Sequence, residues 1–298
     1  MVTNTDNYHG YDKFNLHHDE PTLVELTFVT FTRNSAKHLA RLLSNVRDIA
    51  SEIVMIDGYS SDETVEIAKR YDATIYQRPP FGYADPDRMF ALRMATNEWI
   101  LYLDSDEILS PRLQKELKSI IQSYGNQASA FRVARVYVSD NGTVLLGHFY
   151  PDRQIRVLRK SKVVYSGLVH EHPIVYGRIH NLPEMYYIIH FGEAMGDLPK
   201  ILKYARLEAA QYYRPRLSLR AKPLYWLAPF GLPLLLLYYL LEDLMRGSGI
   251  NSATILPTVK MAFYRNLVWT FMKLRNKDEK STAKLIEEKG LIQLLNLG

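Results

Sequence analysis

The stretch Trp99-Ile100-Leu101-Tyr102-Leu103-Asp104-Ser105-Asp106-Glu107 narrows what this chain can become more than any other. Five apolar residues in a row predict a strand buried on both faces of a sheet. Three acids follow within four positions. Carboxylates crowded at the tip of a buried strand repel one another unless positive charge sits among them. Side chains alternate along an extended chain, so Asp104 and Asp106 share a side there and can share one cation. Carboxylate oxygens with a phosphate as co-ligand suit Mg²⁺ or Mn²⁺. The plainer alternative is a strand followed by an acidic turn into a helix that starts at Ser110-Pro111.

The rest of the chain supplies a frame for that strand. Leu23 to Phe31 is a β-branched, apolar run. Asn34 or Ser35 can cap a helix whose apolar positions Leu39, Leu42, Leu43, Val46 and Ile49 recur at three and four. Ile53 to Ile56 predicts a buried strand ending at Asp57-Gly58, and Ser61 or Asp62 can cap the helix that follows. Ala73 to Gln77 is a third strand, and Arg88 to Ala95 a third helix. Alternating strand and helix predicts an α/β fold with a parallel sheet covered on both faces, and ligands bind beyond the carboxyl ends of such strands. Thr30 to Arg33, Asp57 and Asp104 to Asp106 all lie at those ends. Beyond a helix at Pro111 to Tyr124 the pattern changes to antiparallel strands: Phe131 to Val138, an Asn141-Gly142 turn, Val144 to Phe149, Gln154 to Leu158, and Met185 to His190. Leu198 to Tyr213 predicts a further helix.

A length of 298 residues with 47% apolar content permits one large domain with an appendage and excludes wholesale disorder. There is no cysteine, so disulfides and thiolate metal sites are ruled out and any catalysis uses oxygen or imidazole groups. No N-terminal stretch has the form of a signal peptide, which predicts a cytosolic main domain. The net charge of +5 is uneven: Lys200 to Lys280 carries 14 Lys/Arg against 5 Asp/Glu, net +9, leaving −4 for the remainder. A basic C-terminal region interleaved with apolar runs predicts a membrane surface rather than nucleic acid as its partner.

Val29-Thr30-Phe31, the segment Asp57-Gly58-Tyr59-Ser60-Ser61-Asp62-Glu63-Thr64, and Trp99 to Glu107 resemble the nucleotide-sugar glycosyltransferases of family 2, which have the GT-A fold. Arg88 with Phe90-Ala91-Leu92, Gln154-Ile155-Arg156, Val169-His170-Glu171 and Ile189-His190-Phe191 look like the branch of lipopolysaccharide-core β-glucosyltransferases and their archaeal membrane relatives. The resemblance implies a Rossmann-like mixed sheet with helices on both faces over residues 22–215. Membrane-associated helices are then expected over 216–280, a polar, loosely ordered leader over 1–21 and a tail over 281–298. It also implies Thr30 and Arg33 near the base, Asp57 near the base or ribose, and Asp104 at the ribose or metal. Asp106 would hold Mn²⁺ or Mg²⁺ against the donor diphosphate, and His190 would add a metal or phosphate contact. One departure is Tyr59, where the family has a small serine.

Sugar transfer from a nucleoside diphosphate needs positive charge at the leaving group and a proton acceptor at the attacking hydroxyl. Asp106 with a metal answers the first need, and Arg88 and Arg156 are further candidates for the diphosphate or the donor sugar. Glu171, in Gly167-Leu168-Val169-His170-Glu171-His172-Pro173, is the candidate base. Two histidines around a glutamate also raise a zinc reading, but zinc hydrolases place their histidines one helical turn apart. On a strand, His170 and His172 would share one face and Glu171 the other. Family 2 members invert the anomeric centre.

Pro223 to Leu241 is 19 residues without a charge, the lower limit for a membrane span. Pro229, Pro233 and the aromatic residues suit an interface, as does the stretch Ile250 to Leu274 with Lys260 and Arg265 inside it. These runs predict a hairpin that enters, or crosses, the cytosolic leaflet, and a lipid-linked acceptor. The expected activity is transfer of a hexose from GDP-mannose or UDP-glucose, with the catalytic domain on the cytoplasmic side of the cell membrane. Rival readings are a polyprenyl-phosphate sugar synthase and a non-catalytic nucleotide-binding membrane module. A sugar-phosphate nucleotidyltransferase is disfavoured because Thr30 to Ser35 holds no glycine.

Overall fold

Four parallel strands carry the first part of the chain: Leu26–Thr32 (β1), Glu52–Asp57 (β2), Thr74–Gln77 (β3) and Trp99–Tyr102 (β4). They stand in the order β3-β2-β1-β4, with Val29 beside Val54 on one side and Tyr102 on the other. Their carboxyl ends therefore share one edge. The computed structural model describes residues 24–81, 85–138, 142, 144–145, 152–168, 170, 172–192, 198–211, 231–245 and 252–275.

The period-two alternation of these strands sorts their side chains onto two faces. Leu26, Phe28, Met55 and Leu101 pack against Leu39, Leu42, Leu43 and Val46 of helix Ala36–Val46 (α1), Ile67 of Thr64–Lys69 (α2), and Leu113, Leu117, Ile120 and Ile121 of Pro111–Tyr124 (α4). Val29, Val54, Ile56, Ile100 and Tyr102 face Ala91 and Leu92 of Arg88–Met94 (α3) on the other side. Helices on both faces are what the alternating pattern predicts.

Beyond β4 the sheet turns antiparallel. Asp152–Arg159 (β8) runs against β4, with Ile100 opposite Leu158, and Ala130–Val138 (β6) runs against β8, with an irregularity between Phe131 and Arg132. The path ends with Tyr187–Phe191 (β12) and Glu107–Leu109 (β5), an antiparallel pair that sets His190 opposite Glu107. Short strands Val144–Leu145 (β7) and Ile179–Asn181 (β11) flank β6, and Val163–Val164 (β9) pairs with Ile174–Val175 (β10). The fold is mixed α/β, with parallel strands first and mainly antiparallel strands after β4. The three-residue β5 has no counterpart in the sequence reading.

The chain divides into two units. The first takes its described residues from Met1–Arg135, Pro151–Tyr165 and His172–His190, and the second from Val136–Tyr150, Ser166–Glu171 and Phe191–Gly298. In the second, helices Leu198–Gln211 (α5), Leu232–Met245 (α6) and Ser252–Arg275 (α7) pack through Ile201, Ala205, Leu235, Tyr239, Ala262, Val268 and Trp269. No helix among the described residues is long and apolar enough to cross a membrane. The expected crossing is therefore not supported. α6 has 14 residues, and the apolar residues of the Ile250 to Leu274 stretch close a three-helix core. Residues 223–230 of the uncharged run, the leader and the tail lie outside the described residues.

Candidate functional site

The loops after β1 and β2 clasp each other. Asp57, fully buried, accepts hydrogen bonds from the Thr32 hydroxyl at 2.9 Å, the Ser60 backbone N–H at 2.9 Å, the Ser60 hydroxyl at 2.5 Å and the Gln77 amide at 3.3 Å. The Asn34 N–H donates to Ser60 Oγ and the Ser61 N–H to Asn34 Oδ1, each at 2.8 Å. Asn34 and Tyr59 adopt left-handed backbone, at φ 52° and 54°. That conformation costs a non-glycine residue about 1 kcal/mol or more and persists only under such bracing. Arg33 is exposed beside this clasp, and Tyr59 is 56% exposed at its tip. Thr30 is instead wholly buried within β1, and its hydroxyl has no hydrogen-bond partner among the described residues. It shapes the strand rather than presenting a group at the edge.

After Tyr102 the chain stops being extended. The Glu107 N–H bonds the Asp104 carbonyl at 3.0 Å, closing a turn over Ser105 and Asp106. Strand alternation is therefore not what relates Asp104 to Asp106. Asp104 accepts from the Tyr102 hydroxyl and, at 2.7 Å, from Arg156 Nη2. That same nitrogen reaches Glu107 Oε1 at 2.7 Å, and Arg135 Nη1 reaches it at 2.9 Å. Arg135 also binds Asp152, its cross-strand neighbour, at 2.5 Å through Nη2. Arg88 and Arg156 both lie over the Tyr102 ring, 4.4 and 4.5 Å from its centroid, and Arg88 is also 5.3 Å from the Tyr165 ring.

These contacts decide the charge states. Burial alone would raise the Asp104 carboxyl, but Arg156, Arg88, the Tyr102 hydroxyl and Arg135 hold it well below the usual carboxylate range. Burial opposes the charge on Arg156, and Glu107 and Asp104 more than restore it. Asp106 is shifted the other way: burial raises it, His190 opposes this, and the charges of Asp104 and Glu107 add to it. His190 Nδ1 lies 3.4 Å from Asp106 Oδ1 and 3.8 Å from Glu107 Oε1.

Among the described residues no three His, Asp or Glu side chains converge as a ready-made metal cage. Of the expected ligands, Asp106 and His190 stand together, while Asp104 is engaged by Arg156 and Tyr102. Mg²⁺ and Mn²⁺ are commonly held by one or two carboxylates with substrate phosphates completing the shell. Asp106, penalised by burial and like charge, fits such an open site, with His190 beside it and Asp104 next along the turn.

Sequence reasoning missed Arg135, Glu107 as a buried hub, Asp152 and the Tyr102 hydroxyl. An arginine inside an apolar strand is costly unless paired, so Arg135 within Phe131 to Val138 was the available signal. It also missed the pair Arg78–Asp87 at 2.6 Å, with Arg78 4.1 Å above the Phe90 ring.

In the second unit His170 sits in a turn at φ 54°, not on a strand, so the shared face with His172 does not arise. Its Nδ1 lies 3.1 Å from Glu208 Oε2 and 3.0 Å from the Tyr264 hydroxyl, and its ring stacks on Tyr204 at 5.3 Å. Arg265 Nη1 reaches the other Glu208 oxygen at 2.9 Å. Glu171, the candidate base, lies outside the described residues.

Comparison with known proteins places residues 27–170 under the model described as Glycosyl transferase family 2. An uncharacterized glycosyltransferase, RP128, of Rickettsia prowazekii (strain Madrid E) is 38% identical over 98 residues, 33% of this chain and 33% of that protein. The SPbeta prophage-derived glycosyltransferase SunS of Bacillus subtilis (strain 168) is 32% identical over 182 residues, 58% of this chain and 38% of that protein. The chain thus spans about a third of the length of the relatives it matches. Among solved structures, S. aureus TarS 1-349 in complex with UDP-GlcNAc aligns with a TM-score of 0.45 at 15% identity, over 86% of this chain and 92% of that one. Mannosyltransferase PcManGT from Pyrobaculum calidifontis, in complex with GDP-Man and Mn²⁺, aligns with a TM-score of 0.45 at 14% identity, over 90% and 92%. Over residues 27–170, a little under half of its length, the chain is similar to glycosyl transferase family 2.

Proposed function

We propose that this chain transfers a hexose from a nucleoside-diphosphate sugar, GDP-mannose or UDP-glucose, to a lipid-linked acceptor with inversion at the anomeric carbon. The observation that carries the reading is the cluster Asp104, Asp106, Arg156 and His190 at the strand tips of a chain similar to family 2. Arg33 and the Asp57 loop receive the nucleoside, with Thr30 supporting β1 beneath it. Arg156 and Arg88 face the diphosphate. Asp106 and His190, with Asp104, would hold Mn²⁺ or Mg²⁺, which supplies positive charge to the leaving diphosphate. The acceptor hydroxyl oxygen attacks the anomeric carbon as the bond to the diphosphate oxygen breaks. Glu171 takes the hydroxyl proton, and the electron pair leaves with the diphosphate.

A membrane contact would lie in the plane of the bilayer rather than across it. Leu234, Leu237, Leu241 and Leu244 are spaced along one side of α6 and are 45–57% exposed, in a region of net charge +9. An exposed apolar helical stripe whose flanking sequence is basic, with Arg220 and Lys222 before it and Arg246 after, suits the anionic cytoplasmic leaflet, and hence a lipid-linked acceptor.

The test is transfer from GDP-mannose and UDP-glucose to lipid acceptors with Mn²⁺ present. Glu171→Gln should keep donor binding and lose transfer, whereas Asp106→Ala should lose Mn²⁺-dependent donor binding. Turnover retained in Glu171→Gln would remove Glu171 as base, and transfer to polyprenyl phosphate alone would favour the synthase reading.

A further inference from the structure

We propose that Glu107 is the positioning residue of this site: through Arg156 and Arg135 it sets how readily Asp104 becomes available to a cation. The proposal rests on the reading above and deepens it.

Glu107 is completely buried, yet it meets three separate parts of the site. Its Oε1 accepts from Arg156 at 2.7 Å and from Arg135 at 2.9 Å, and its Oε2 accepts from the Asp104 backbone N–H at 3.1 Å. Charges then alternate through Asp152, Arg135, Glu107, Arg156 and Asp104, and Arg135 Nη1 also comes within 4.0 Å of Asp104 Oδ2. Arg156 is shared through one nitrogen between Glu107 and Asp104. Nη2 carries two N–H groups and donates to each carboxylate at 2.7 Å, so the two acids share one guanidinium charge, and weakening either contact leaves that charge to the other.

A cation arriving at Asp106 and His190 competes for Asp104 with Arg156. With Glu107 in place, Arg156 keeps a buried anionic partner when Asp104 turns away, so the exchange leaves no stranded charge. The Arg156 Nε–H is buried without an acceptor among the described residues. Without the Glu107 carboxylate in its present position, Arg156 settles on Asp104 alone and the cation finds it occupied.

The line predicts opposite signs for neighbouring replacements. Glu107→Gln removes the competing carboxylate, and Glu107→Asp keeps its charge but withdraws it by one methylene. Both should raise the Mn²⁺ Kd, measured by electron paramagnetic resonance with GDP or UDP present and no turnover, by about tenfold, as expected when a residue supporting a metal ligand is lost. Arg135→Gln leaves Glu107 with Arg156 alone, draws Arg156 off Asp104, and should lower the Mn²⁺ Kd. Asp152→Asn lets Arg135 lean onto Glu107 and should raise it modestly. A merely structural role would reduce the folded fraction without alternating signs. A Glu107→Asp variant with the wild-type Kd would overturn the proposal, since charge alone would then suffice. If the Glu107 variants do not fold, Arg135→Gln decides: a lower Kd supports the proposal, and an unchanged or higher one overturns it. Absence of Mn²⁺ and nucleotide binding in the wild type would refute the functional reading itself, a result distinct from a failure confined to the variants.

Discussion

At the scale of single residues, buried acids in this protein are answered by specific donors rather than left to repel. Asp57 takes four hydrogen bonds, and Glu107 takes two arginines and a backbone N–H. Glu208 is the clearest case for measurement. Burial alone would raise its carboxyl, but its hydrogen bond with His170, the Arg265 charge and the Tyr264 hydroxyl bring it from the ordinary 4.5 down to about 2. A depressed folded-state value stabilises the protein above pH 4.5, and that contribution drains away as pH falls towards 2. Thermal melts between pH 5 and pH 2 should show the wild type losing on the order of 2–3 kcal/mol more than Glu208→Gln across that window. Parallel pH profiles would disprove the pairing. The acids at the strand tips were legible as residues, but their partners were not. Arg135 lies 28 positions from Glu107 and Arg156 lies 49, separations that no local pattern encodes.

At the scale of elements, local signals located most helices and failed where a strand was short. Helix α4 has the bounds read from sequence, because Pro111 is preset for the first turn and Ser110 caps it. Ser110 Oγ accepts from the Leu113 N–H and the Tyr187 N–H, both at 3.4 Å, so one hydroxyl joins the helix start to β12. Ser110→Ala should cost about 1–2 kcal/mol in denaturant unfolding. An unchanged midpoint would show that neither bond contributes. Strand β5 escaped notice because three residues carry too little periodicity, and its partner β12 lies some 80 positions away. The turn at 104–107 was missed for a related reason. Tyr102-Leu103 reads as continuing strand until the Asp104 carbonyl is seen to bond Glu107.

At the scale of the whole molecule, apolar sequence was used for two different ends. In the first unit it covers both faces of the parallel strands, and in the second it binds α5, α6 and α7 together. What α6 leaves exposed is the leucine stripe, and its test is direct. Leu237→Asp, at a position 53% exposed, should change unfolding stability by less than about 0.5 kcal/mol while reducing cosedimentation with anionic phosphatidylserine vesicles. Equal cosedimentation would remove this face from any membrane contact. By itself the sequence determined the α/β alternation, the sheet edge at which the polar strand ends gather, the α4 boundaries and the acids at the tip of β4, because each is written in spacing over a few residues. Only the tertiary structure decided which charges answer those acids, that the chain turns between Asp104 and Glu107, and that the long apolar stretch of α7 closes a helical core. Those outcomes depend on contacts between strands and helices far apart in the chain, where geometry chooses among partners that composition leaves equivalent.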